Sequence, residues 1–156
     1  MARTRVRRFL DTTGDGTGTK NAGVNGSSTP VIHRIRPAAG ETIYLSDLFV
    51  SFTAAAQLVA DGYGDLAALT NGIKVEVVSV NSAGDVTVEE DLLDGLTIKS
   101  HDHWGRYLGE NSGGHPLIIR GVSDVPDGYR ELRVTIQDDL STMDEHYFLA
   151  RGYSEA

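Results

Sequence analysis

Residues 72–90 read GIKVEVVSVNSAGDVTVEE, and this stretch decides the fold class. Apolar and polar side chains largely alternate along 73–80, and a period of two is typical of a β-strand with one buried face. Residues 81–85 (NSAGD) have the composition of a hairpin turn. Residues 86–90 then alternate again, so the sequence predicts two antiparallel strands joined by a short turn.

Short segments of the same kind continue on both sides of this hairpin, separated by turns rich in Gly, Pro and Asp. They cover 31–36, 42–44, 49–53, 96–99, 103–108, 116–120, 130–137 and 145–153. Ser46-Asp47 predicts a turn or a short 3₁₀ element, and 54–69 predicts a long loop with one or two helical turns. About eight or nine short strands predict an all-β fold, an antiparallel sandwich or barrel. We expect an antiparallel β-sandwich, with an eight-stranded jelly roll as the first choice.

The charge of the chain is divided by position. Residues 1–40 hold seven basic and two acidic side chains, a net of +5, whereas residues 41–156 hold seven basic and twenty acidic ones, a net of −13. Residues 11–28 (DTTGDGTGTKNAGVNGSS) hold too few apolar side chains to offset the entropy of ordering. We therefore predict a basic, then Gly-rich, extended arm over 1–30 and a β-sandwich body over 31–156. The acidic body should repel nucleic acid.

Composition limits what can hold the fold together. The chain has no cysteine, so neither a disulfide nor a thiolate metal site is expected. No stretch of eighteen apolar residues occurs, so we expect no membrane partner. The charged opening MARTRVRR is not followed by a long apolar region, and we expect synthesis in a cytoplasm without a secretory signal.

Several polar clusters are candidate sites. The segment from Asp11 to Asp15 is similar to the start of a calcium loop, but the twelfth position is Ala22 and not an acidic ligand. His101 and His103 lie two residues apart and could share zinc only if His115 or His146 came near them. Because no nucleophile, phosphate-loop or metalloprotease motif occurs, we expect neither an enzyme nor a bound metal or cofactor.

Four segments together resemble small virion proteins of tailed bacteriophages, several of which are capsid decoration (cement) proteins. They are MARTRVRRFLDTTGDGTGTKNA (1–22), LTNGIKVEV (69–77), DGLTIKSHDHWGRY (94–107) and DDLSTMDEHYFLARGY (138–153). The resemblance implies a jelly-roll body, a trimer, and a place on the outer capsid surface. It also implies an N-terminal arm that reaches along neighbouring subunits. A neck, tail or fibre protein could look the same.

The expected function is non-enzymatic binding and stabilisation of the capsid shell, with the major capsid protein as partner. The arm would bind through seven residues: Arg3, Arg5, Val6, Arg7, Arg8, Phe9 and Leu10. A homotrimer interface is expected at the aromatic segments that hold Phe49, Phe52, Trp104, Tyr107 and Leu108. The alternative is a neck, tail or fibre module that binds a receptor or glycan through the loops 54–69 and 109–115, with Trp104 and Tyr107.

Overall fold

The fold is taken from a computed structural model of the 156-residue chain. It describes residues 3–9, 25–53, 69–99, 104–107, 117–121, 128–141 and 145–155. The structure defines only the backbone at residues 3–9, 49, 51–53, 104–107 and 145–149. The predicted helical turns within 54–69 fall almost entirely outside the described residues.

All regular structure in the described part of the chain is β-strand. The strands are β1 (Arg3–Phe9), β2 (Val31–Ile35), β3 (Thr42–Thr53), β4 (Ile73–Val80), β5 (Val86–Asp91), β6 (Trp104–Tyr107), β7 (Leu117–Arg120), β8 (Tyr129–Ile136) and β9 (Glu145–Glu155). One sheet has the order β1-β9-β3-β6, with β7 also paired to β3, and the other has the order β2-β8-β4-β5. Every pairing is antiparallel. The predicted all-β class is confirmed.

The two sheets share one buried apolar cluster, as the sheets of a β-sandwich do. The five-stranded sheet contributes alternate residues of β3 and β7, such as Ile43, Leu45 and Ile119, each fully buried or nearly so. The four-stranded sheet contributes alternate residues of β4 and β8, such as Val75 and Leu132. The alternation visible in the sequence therefore marks the inward faces, because successive side chains of a strand point to opposite sides.

Two local predictions differ from the structure. The segments 42–44 and 49–53 belong to one strand, β3, and the expected turn at Ser46-Asp47 is a bulge within it, between Leu45 and Asp47. An extra residue at a bulge bends a strand without ending it, which explains the interruption in the pattern. Residues 96–99 form no strand and contribute only an isolated bridge from Ile98 to Ile73.

A buried carboxylate connects the loop before β4 to the chain that follows β8. Asp138 is only 7 % exposed and accepts hydrogen bonds from the backbone N–H groups of Thr70, Asn71 and Gly72, at 2.7–3.2 Å. Its backbone carbonyl accepts a further hydrogen bond from the N–H of Gly26. One residue therefore anchors three segments that lie far apart in sequence.

The first strand lies at one edge of the five-stranded sheet. Residues Arg3–Phe9 pair antiparallel with β9, with Arg3 opposite Glu155 and Phe9 opposite Leu149. Residues 10–24 lie outside the described part of the chain. The division into an arm over 1–30 and a body over 31–156 stays a prediction, and the structure adds to it the pairing of residues 3–9 with the last strand.

Candidate binding surface

The basic segment singled out from the sequence occupies a defined place in the fold. Arg3, Arg5 and Arg7 are alternate positions of β1, in register with Glu155, Tyr153 and Arg151 of β9. Val6, Arg8 and Phe9 fill positions between and after them on the same strand, and Leu10 lies outside the described residues. Their assignment as partner-binding residues stays a prediction.

The residues expected at an oligomer interface lie on two neighbouring strands. Phe49 and Phe52 belong to β3, and Trp104 and Tyr107 belong to β6. The pairing of β3 with β6 sets Phe49 opposite Gly105 and Val50 opposite Trp104. The backbone therefore brings both segments together at one side of the five-stranded sheet, while Leu108 lies outside the described residues.

A surface that was not evident from the sequence lies on the outer side of the same sheet. Ile118 of β7, Tyr44 of β3 and Tyr153 of β9 occupy one register row across three adjacent strands. The rings of Tyr44 and Tyr153 stack, with centroids 4.7 Å apart and planes inclined by 14°. Ile118 is 43 % exposed, and both tyrosines are half-buried. We call these three residues the tyrosine row.

The tyrosine row faces outward because its neighbours in sequence face the core. Tyr44 lies between Ile43 and Leu45, both fully buried, and Ile118 lies between the buried Leu117 and Ile119. A strand that buries every second residue must present the residues between them on its other face. The alternation signal was present in 43–45 and 117–119, but the register that aligns them could not be read from one sequence.

Charged groups lie beside the tyrosines on the same face of the sheet. Arg120 of β7 and Glu155 of β9 both pair with Thr42 of β3, two positions from Tyr44 and therefore in the next row of the same face. Burial raises the pKa of Tyr44 above its ordinary value, and the Glu155 carboxylate raises it further by its charge and by accepting a hydrogen bond. The Tyr44 hydroxyl therefore donates a hydrogen bond to the Glu155 carboxylate and loses its proton at a higher pH than a free tyrosine.

The tyrosine row and the basic strand are continuous. Tyr153 pairs with Tyr44 on one side and with Arg5 of β1 on the other. The four strands β7, β3, β9 and β1 therefore place an aliphatic residue, two stacked tyrosines and an arginine position along one row. Aromatic residues and arginine are the types most enriched at the energetic centres of protein interfaces.

On the other sheet, arginines surround a buried carboxylate. Glu131 of β8 is fully buried, and its two oxygens accept hydrogen bonds from Arg36 and Arg133. Arg34 lies nearby, with its Nε atom 3.9 Å from Glu131 Oε1. We call Arg34, Arg36 and Arg133 the arginine cluster. From the sequence alone, Arg34 and Arg36 counted only as part of the basic N-terminal charge.

The structure gives no support to the other candidate sites. His101, His103, His115 and the segment from Asp11 to Asp15 lie outside the described residues. His33 is fully buried on the inward side of β2. Within the described ranges, no group of three or more His, Asp or Glu side chains is arranged to hold a metal ion. Among the same residues, no helix is long and apolar enough to cross a bilayer.

No model of a protein family matches the chain, and a search of curated proteins finds no match.

Proposed function

We propose that this chain is a non-enzymatic virion protein of a tailed bacteriophage that binds and stabilises the capsid shell. Its body is a jelly roll, its partner is the major capsid protein, and its place is the outer capsid surface. The observation that carries the proposal is a single row of the sheet, in which Arg5 of the basic strand β1 lies next to the two stacked tyrosines. Residues 41–156 of the same chain are strongly acidic.

The strand order supports the jelly roll. A jelly roll arises when one long antiparallel hairpin wraps into two sheets, so its strand pairs are nested from the ends of the chain inward. Here β1 pairs with β9, β2 with β8, β3 with β6 and β7, and β4 with β5. The wrapping then adds the pairs β3–β9 and β4–β8, which are also present. Jelly rolls occur in viral capsid proteins and also in lectins and cupins, so the fold alone is compatible with several functions.

The surface formed by the tyrosine row and the neighbouring strand β1 supports protein binding. Guanidinium groups bind carboxylates in a planar, bidentate geometry, and a β1 segment with four arginines among its seven residues offers several such groups. The neighbouring tyrosines supply rigid apolar area with polar ends, which suits an interface that is in part wet. We therefore expect the shell protein to present carboxylates next to an apolar groove.

Copy number in purified particles tests the position in the virion. A shell-stabilising protein is expected at hundreds of copies per particle, which quantitative densitometry against the major capsid protein measures. A number between a few and a few dozen copies would contradict the proposal. It would favour the alternative, a neck, tail or fibre module that binds a receptor or glycan.

A trimer is the proposed assembly state. The net charge of −13 over residues 41–156 opposes self-association, so assembly must rest on apolar contacts such as the neighbouring segments around Phe49 and Trp104. Light scattering across a salt series should give a trimer whose mass changes little with salt, because screening acts on charged contacts. A monomer at micromolar concentration would contradict the trimer but not the capsid binding.

A further inference from the structure

The arginine cluster holds more positive charge than the carboxylate at its centre can neutralise. Glu131 Oε2 accepts hydrogen bonds from Arg36, at 2.9 Å to Nε and 2.8 Å to Nη2, and Oε1 accepts one from Arg133 Nε at 2.6 Å. Both carboxylate oxygens are therefore engaged by charge-assisted hydrogen bonds. Arg34 is the third cation, and its Nε lies 3.9 Å from Oε1, beyond hydrogen-bonding distance.

Arg34 is the cation of this cluster whose charge is least neutralised. Its Nε–H is buried and has no hydrogen-bond partner in the described part of the chain, which is costly for a charged donor. The side chain as a whole is 31 % exposed, so its exposed area belongs to atoms other than Nε. The charge of Arg34 is therefore incompletely neutralised, on a side chain that is partly open to solvent.

The neighbouring groups hold the cluster in place. The register of β2 with β8 sets Arg34 directly opposite Arg133, and the Arg36 guanidinium lies 3.5 Å from the centroid of the Tyr129 ring. This cation–π contact and the hydrogen bonds to Glu131 fix Arg36, although its side chain is 38 % exposed. A site whose donors are already oriented loses little entropy when a ligand binds.

The other charged groups of this face leave the balance positive. Glu76 of β4 lies opposite Arg133, and Lys74 lies opposite Thr135 in the row beyond it. Asp91 of β5 lies opposite Glu76 in the same row. Three guanidinium groups and one ammonium group thus share the face with three carboxylates, those of Glu131, Glu76 and Asp91, and the formal balance is 4 − 3 = +1.

We propose that Arg34, together with the exposed edge of Arg36, binds an oxyanion of the carboxylate or phosphate type. Such anions match the two parallel N–H donors of a guanidinium, and a second anion would offset the charge that Glu131 leaves uncompensated. The site lies on the four-stranded sheet, whereas the tyrosine row lies on the five-stranded sheet. It is therefore independent of the proposed capsid-binding surface.

The test is anion titration of the full-length protein at constant ionic strength, with chloride as the balancing salt. Sodium phosphate and sodium acetate are titrated separately, and the thermal midpoint and the Arg34 Nε–Hε resonance are followed. We expect a saturable rise in the midpoint and a saturable shift of that resonance with at least one of the two anions. The anion that acts at lower concentration identifies the source chemistry, phosphate or carboxylate.

Two variants make the test specific. Arg34→Gln should weaken the anion response about tenfold or more, as expected for the loss of a charge-assisted hydrogen bond. Lys74→Gln removes one positive charge from an exposed position of the same face but keeps all the guanidinium donors, so its loss of response should be several times smaller than that of Arg34→Gln. Circular dichroism establishes that each variant is folded, and Arg34→Lys, which keeps the charge but loses the planar fork, should give an intermediate affinity.

Three results would overturn the site. They are a response to phosphate and acetate no larger than that to chloride, an equal response in Arg34→Gln and the wild type, and an equal loss in Lys74→Gln and Arg34→Gln. The last would show that the effect reflects only the overall charge of the face.

Discussion

Asp138 shows how one side chain connects segments that are distant in sequence. Its buried carboxylate accepts the backbone N–H groups of Thr70, Asn71 and Gly72. Asp138→Ala would leave these donors without their acceptor in a site that water reaches poorly. We expect a loss of about 3 kcal/mol in the free energy of unfolding, measured by urea denaturation.

The neighbouring residue supplies the control for this prediction. Asp139 is exposed and accepts a hydrogen bond from the backbone N–H of Ser141 at 2.9 Å. Asp139→Ala should cost less than about 1 kcal/mol, because solvent can replace that contact. Equal losses in the two variants would contradict the role given to Asp138.

Tyr44 links stability to alkaline pH. Its pKa in the folded protein is raised above the ordinary value of 10.0, first by burial and then by Glu155. The folded state therefore keeps the proton where the unfolded state loses it, and stability falls as pH rises above the unfolded pKa. Between about pH 9 and pH 11, the thermal midpoint of Tyr44→Phe should fall less than that of the wild type. A parallel fall in both proteins would show that Tyr44 does not contribute.

At the level of the strands, the contact of β3 with β9 depends on a glycine. Gly152 lies opposite Leu45 next to the bulge in β3, and a Cβ at this position would overlap the backbone carbonyl oxygen of Tyr44. Because a backbone atom cannot rotate away, Gly152→Ala should force the strands apart. We expect a loss of about 3 kcal/mol, measured by urea denaturation.

Gly84 is the matched control for Gly152. It has a positive φ of 89°, but no described atom lies within 4 Å of the position that a Cβ would take there. Gly84→Ala should therefore cost only the left-handed backbone conformation, roughly 1–2 kcal/mol. If Gly152→Ala were no more harmful than Gly84→Ala, the close approach of β3 and β9 would not be a constraint.

Strands with long alternating runs were predictable in full, and a strand with a bulge between two short runs was not. Residues 73–77 and 131–137 alternate, and both lie in strands that are close to the expected bounds, although β4 has a register shift between Val77 and Val78. Ser46-Asp47 looked like a turn because a bulge also breaks the alternation, and only the ladder to β9 keeps β3 continuous. Residues 96–99 alternate, but they lack a partner strand in the described structure beyond the single bridge at Ile98.

The surfaces required information that a single sequence does not contain. The outward direction of Tyr44 followed from its buried neighbours, but its alignment with Ile118 and Tyr153 depends on which strands pair and in what register. The arginine cluster depends in the same way on the pairing of β2 with β8, which brings Arg34 and Arg36 to Glu131 across 95 or more positions of the chain. The charge division, in contrast, is visible directly in the sequence.

For the whole molecule, the two sheets present different surfaces. The five-stranded sheet carries the tyrosine row beside the basic strand β1, and the four-stranded sheet carries the arginine cluster and the exposed edge strand β5. Val86 and Val88 of β5 are about half exposed, yet they lie on the sheet that the proposed capsid contact does not use. They therefore provide a control for nonspecific loss of apolar surface.

The most direct measurement is co-sedimentation of the purified protein with capsids that lack it. The Tyr44→Ala/Tyr153→Ala variant should bind at least about thirtyfold more weakly, because aromatic anchors contribute about 2–4 kcal/mol each when truncated. Exchange of Arg3, Arg5 and Arg7 for Glu should also weaken binding, and wild-type binding should weaken with added salt. The Val86→Ser/Val88→Ser variant should bind like the wild type. Undiminished binding by both the tyrosine and the arginine variants, or no binding by the wild type, would contradict the account.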